Sequence, residues 1–172
     1  MSLIEHIRDA TSFIAQKYMD LPVSGRGVVK RERVYCYELY HQLRLSLGDR
    51  RFTVSAEPDK RGNPGFDKRR GPNPDLIVHL PGSNRHNIAI IEVECRPDLT
   101  HLRKDLRTFK LMRSKGYRTF VLLLFGVEHI PWQKLSKAAD EIEFPLTDLV
   151  VLLHRRAQQS ASIESPDQAR AA

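Results

Sequence analysis

The sequence predicts an α/β fold in one domain, with a mixed central sheet of about five strands flanked by helices. Three observations predict it. The near-continuous apolar run Thr119-Phe120-Val121-Leu122-Leu123-Leu124-Phe125 reads as a strand covered on both faces, the habit of strands packed between helices. Two shorter apolar runs, residues 74–80 and 88–95, are separated only by turn chemistry around Pro81-Gly82-Ser83-Asn84, which argues for an antiparallel pair. Apolar residues at helical spacing precede these runs and alternate with the later ones.

Taken in order, residues 2–17 space Leu3, Ile4, Ile7, Phe13 and Ile14 like one helix face, and a loop with Pro22, Gly25 and Gly27 follows. Residues 30–47 predict a second helix with Cys36, Leu39, Tyr40, Leu43 and Leu47 on one stripe, ended by Gly48. Residues 51–57 predict a strand, and 58–73 a loop rich in Pro, Gly, Asn and basic residues. After the antiparallel pair come a helix over 99–115, the strand 119–125, a helix over 132–143 and a last strand over 148–154. Residues 1–27 are thus an N-terminal helix and loop, and 28–154 the core. Residues 155–172 are polar and Ala/Ser-rich, which predicts a disordered tail.

Composition narrows the function classes. The 172 residues are 41% apolar and 28% charged, ordinary for a globular protein with a real core. No run approaches the roughly 18 apolar residues that span a bilayer, so no membrane role is expected. The start MSLIEHIRDA lacks the pattern of a signal peptide, and Cys36 and Cys95 are too few for a disulfide framework. The expectation is a cytoplasmic protein. Its net charge of +7 favours a polyanionic partner, nucleic acid before a membrane surface; a homodimer or a protein partner is left open.

The acids are placed oddly. Asp75 opens one apolar strand, and Glu92 and Glu94 lie near the end of the next, on one face by the strand's period of two. Ionised acids in a half-buried strand are costly without a partner. A strand merely emerging into solvent also ends this way. Two more acids add weight, however. Glu32 lies one turn before Cys36 and extends the core-facing stripe of its helix, while Glu57 ends the preceding strand. Glu38 sits about 200° round the helix from Cys36 and points away, which makes it a secondary candidate beside Glu57. Clustered carboxylates at strand ends suit a hard divalent cation, Mg²⁺ with Mn²⁺ as a substitute.

Pro74-Asp75 followed by Glu92-Val93-Glu94, with a Glu-bearing helix before and Leu102-Arg103-Lys104-Asp105-Leu106 after, resembles the PD-(D/E)xK nuclease superfamily. The resemblance covers roughly residues 28–153 and implies a restriction-endonuclease-like core. It implies that Asp75, Glu92 and the Val93 carbonyl hold Mg²⁺, that Glu32 supports the site, and that phosphodiester bonds in nucleic acid, DNA ahead of RNA, are hydrolysed. The chain departs from the motif at Glu94, where the family usually has Lys. Glu94 then acts as a base or further ligand; or Lys104 or Lys60 replaces the missing cation; or the domain is a catalytically inactive one that binds nucleic acid or a partner protein.

Two basic clusters flank these acids. Arg103, Arg107 and Lys110 share one face of the helix after the acidic strand, and Lys60, Arg61, Lys68, Arg69 and Arg70 populate the long loop. Both are candidate phosphate contacts. Neither Cys-x-x-Cys nor His-x-x-x-His spacing occurs, and no phosphate-cradling glycine loop is present.

Overall fold

The computed structural model describes residues 1–48, 52–58, 73–82 and 86–166. Their elements are α1 (Leu3–Ser12), α2 (Gln16–Met19), β1 (Leu21–Val23), β2 (Gly27–Val29), α3 (Glu32–Leu47), β3 (Thr53–Ala56), β4 (Leu76–His79) and β5 (Asn87–Glu94). After them come α4 (Leu99–Arg113), β6 (Thr119–Phe125), α5 (Trp132–Ile142), β7 (Leu149–His154) and β8 (Ser162–Glu164). The main sheet is mixed, six-stranded and in simple chain order from β3 to β8. β3, β4 and β5 form the expected antiparallel meander, β5, β6 and β7 run parallel, and β8 returns antiparallel on β7.

Side chains alternate across this sheet into two apolar layers. Ala89, Ile91 and Val93 of β5 pack towards α3 and α1, together with Leu39 and Leu43. Ile90 packs on the other face, with Leu102, Leu106 and Phe109 of α4 and Leu135 of α5. The run at β6 is buried along almost its whole length, as a strand covered on both faces requires. Tyr35 stacks on Phe125 with ring centroids 4.0 Å apart and shares a hydrogen bond with His154.

Three expectations are corrected. The first helical stretch is two helices, because the chain breaks after Ser12 and leaves Phe13 exposed instead of on the apolar face. The loop after it carries a short hairpin, β1 against β2. Most consequentially, residues 155–166 are no disordered tail. Ala161 is fully buried, its N–H donates to Thr11 Oγ1 at 2.8 Å, and its carbonyl accepts from Arg8 Nε at 2.8 Å. Those bonds dock the segment on α1, and β8 then covers the edge of β7, with Arg155 paired to Glu164 at 3.0 Å. No helix among the described residues is long and apolar enough to cross a membrane.

Candidate metal centre

The register of the meander sets the acids. Leu76 lies opposite Ile91, so Asp75, one residue outward, lies beside Glu92. Asp75 Oδ2 accepts the Val93 N–H at 2.7 Å, a bond made just where β4 stops pairing. A strand residue's N–H and C=O point to the same edge, so the Val93 carbonyl also faces the Asp75 side. The Glu57 N–H donates to the Asp75 carbonyl at 2.8 Å, continuing the ladder on the far side of Asp75.

Glu92 is 1% exposed, and neither of its carboxylate oxygens has a hydrogen-bond partner. Burial, then the charges of Asp105 and Asp75, push its proton affinity well above the carboxylate range, with the Lys104 ammonium opposing. Burial also raises Asp75, against the pull of the Val93 N–H and Lys104. Lys104 is held charged chiefly by Asp105, Glu92 and Asp75, which outweigh the opposing effect of its partial burial. Two orphaned carboxylate oxygens beside a second acid are a donor set that fits a hard divalent cation.

The remaining acids form an adjoining group. Glu32 begins α3, where the helix dipole favours negative charge, and its Oε1 faces the Cys95 N–H at 3.4 Å and the Cys95 thiol at 3.5 Å. Burial raises Glu94 to about 7, reinforced by a hydrogen bond shared with Glu32 and opposed by the Arg96 N–H. On Glu32, burial is outweighed by that shared bond and by the Cys95 donors, so its pKa falls while that of Glu94 rises. His101 Nδ1 lies 3.0 Å from Glu94 Oε2. Among the described residues, Glu32, Glu94 and Cys95 bring ligand atoms within 4.8 Å of one another. Burial pushes the Cys95 thiol up to about 11, so it enters as a neutral thiol.

Several candidates are placed elsewhere. Glu57 is paired with Arg33 at 2.9 Å, and Glu38 accepts from Gln42 at 2.7 Å on the outer side of α3. The basic face of α4 is corrected in part. Arg103 forks onto Glu141 of α5, its Nη2 at 2.8 Å, and Lys110 bonds Glu143 and the Ile142 carbonyl, both at 2.8 Å. The two therefore tie α4 to the end of α5, and Arg107 is left exposed between them. Lys60, Arg61, Lys68, Arg69 and Arg70 lie outside the described residues.

Sequence reasoning passed over two residues. His101 meets Glu94 because the Asp98 cap turns the first turn of α4 back towards the end of β5. Asp105 is buried with Leu102 and Leu106, and its place between two stripe leucines is the signal that marks it as inward-facing. No family model, curated protein or solved structure matches the chain.

Proposed function

We propose that this chain is a divalent-cation-dependent nuclease with a restriction-endonuclease-like core, hydrolysing phosphodiester bonds in nucleic acid, DNA by preference, in the cytoplasm. The observation that carries the reading is Glu92: a buried carboxylate with both oxygens unpartnered, beside an Asp75 fixed by the Val93 N–H. Such a group is costly to keep unless an ion completes it. The element order supports the same core: α3, the antiparallel β3–β4–β5 meander, α4, then a parallel β6.

Asp75, Glu92 and the Val93 carbonyl would hold Mg²⁺, or Mn²⁺ in its place. Bound there, the ion supplies positive charge to a phosphoryl oxygen and acidifies a water. Glu94, raised to about 7 chiefly by burial, is partly deprotonated near neutral pH and is matched to accepting a proton there. Lys104 brings an ammonium that acts on Asp75 and Glu92 while keeping 66% of its side chain exposed, so it stands in for the motif lysine and reaches a phosphate. The exposed Arg107 and the overall charge of +7 favour a polyanionic substrate.

A second reading keeps the fold without the chemistry. It draws on Glu94 being already engaged by Glu32, the Arg96 N–H and His101, which leaves an inactive domain that binds nucleic acid or a protein. Incubation of plasmid DNA and of RNA with Mg²⁺ or Mn²⁺ separates the two. The nuclease reading expects cleavage that chelation stops and that Asp75→Ala reduces by at least about 10²-fold. Salt-sensitive binding without cleavage in any divalent ion selects the second.

A further inference from the structure

Asp105 is a buried acid for which the proposed mechanism has no task. It sits on the face of α4 that packs on the sheet, between Leu102 and Leu106, in the same apolar layer as Ile90 of β5. Alternation along β5 puts Glu92 on that face too, so the two acids enter one interlayer from opposite sides. Asp105 is 3% exposed. Its Oδ2, like both oxygens of Glu92, has no hydrogen-bond partner.

The neighbouring cation does not account for Asp105. Lys104 Nζ lies 3.5 Å from Asp105 Oδ1, longer than a charge-assisted hydrogen bond, and reaches in from a largely solvated side chain. An apolar residue at 105 would pack with Leu102 and Leu106 at no such cost. An acid there is intelligible if something positive arrives between helix and sheet. The charge of Asp105 also bears on Glu92 more strongly than that of Asp75 does.

We propose that Asp105 is a further carboxylate ligand of the cation site, contributed by α4 to join Asp75 and Glu92 of the sheet, for a hard divalent ion such as Mg²⁺ or Mn²⁺. The inference rests on the cation-binding reading of Asp75 and Glu92. Three carboxylates and retained waters make an oxygen-only ligand set suited to such ions. The ligands come from the residue before β4, from β5 and from α4, and their ligand atoms do not all lie within 4.8 Å of one another in the metal-free protein. The ion therefore draws the helix onto the sheet, so binding tightens the α4 docking as well as neutralising the acids.

The test is calorimetric titration of Mn²⁺ into wild type, Asp105→Asn and Asp75→Asn, with metal-free melting of each and amide hydrogen exchange of wild type with and without Mn²⁺. Asp105→Asn is expected to weaken Mn²⁺ binding at least about tenfold without lowering the metal-free melting temperature. Mn²⁺ is expected to slow exchange in α4 of wild type. If Asp105→Asn binds within about twofold of wild type while Asp75→Asn does not bind, Asp105 is only a buried structural acid. The cation reading of Asp75 and Glu92 then stands without it. Absence of Mn²⁺-dependent slowing in α4 overturns the inference without recourse to any variant. Equal binding by wild type and Asp75→Asn, or none by wild type, overturns both.

Discussion

Asp75 is tied to the strand that carries its partner acid: its Oδ2 accepts the N–H of Val93, the residue after Glu92, at 2.7 Å. This bond fixes an acid at the end of β4 against β5 and leaves Glu92 beside it with no donor of its own. Two acids placed so firmly side by side cannot both ionise, so in the metal-free protein Glu92 is held protonated, at a cost near neutral pH.

Replacing the Glu92 acid with a group that needs no proton removes that cost. Glu92→Gln is expected to raise metal-free stability by about 1–2 kcal/mol, because a neutral amide replaces a buried acid. For a chain of this size that is roughly 2–8 °C in melting temperature. The same variant loses the stabilisation that Mn²⁺ gives wild type. Thermal melts with and without Mn²⁺ check both; a Glu92→Gln protein that still gains from Mn²⁺ places the ion elsewhere.

The acids also set a pH dependence for the metal-free protein. Burial first, then neighbouring groups, raise Glu94 and Asp105 each to about 7, and Asp75 and Glu92 move in the same direction. A carboxyl that binds its proton more tightly when folded contributes fully below its unfolded pKa, and that contribution is lost as pH rises through the folded value. Stability is therefore expected to fall from the ordinary carboxylate range up to about 7. His154, pushed down to about 4 by burial, works oppositely, favouring the folded state as pH rises towards the ordinary imidazole value. Glu94→Gln and Asp105→Asn isolate the carboxyl part, since each should flatten the fall. Melting temperatures across this range that are as steep in both variants as in wild type exclude the assignment.

Lys104 is the cation nearest in effect to Asp75, Glu92 and Asp105 together. Lys104→Met is expected to cut cleavage by about 10²-fold while leaving Mn²⁺ affinity undiminished, because an opposing positive charge is removed. A Lys60→Met variant measured beside it distinguishes the alternatives. Loss of cleavage in Lys60→Met alone moves the role to Lys60.

The docking of β8 makes a prediction free of metal. Thr11→Val deprives the buried Ala161 N–H of its acceptor and is expected to cost about 1–3 kcal/mol in a chemical denaturation curve. An unchanged midpoint contradicts the docked arrangement.

Most of the sheet was legible in the sequence because the apolar runs and turn residues agree with the tertiary packing. β8 was not, since an edge strand need bury little. Ala161 is fully covered just before it and Ile163 is half in solvent, which leaves no alternating pattern to read. The positions of Asp75, Glu92 and Glu32 followed from strand period and helix phase. Asp105 was read only as part of the stretch Leu102–Leu106 that follows the acidic strand, although its phase with Leu102 and Leu106 turns it inward. The basic face was misjudged for another reason: spacing shows that Arg103 and Lys110 share a side of α4, but only the packing of α4 on α5 brings Glu141 and Glu143 against them.

The central claim, a divalent cation held by Asp75 and Glu92, is tested most directly by calorimetric titration of Mn²⁺ into wild type and Asp75→Ala. Saturable binding in wild type that disappears in Asp75→Ala is the predicted result. Indistinguishable titrations of the two proteins contradict it.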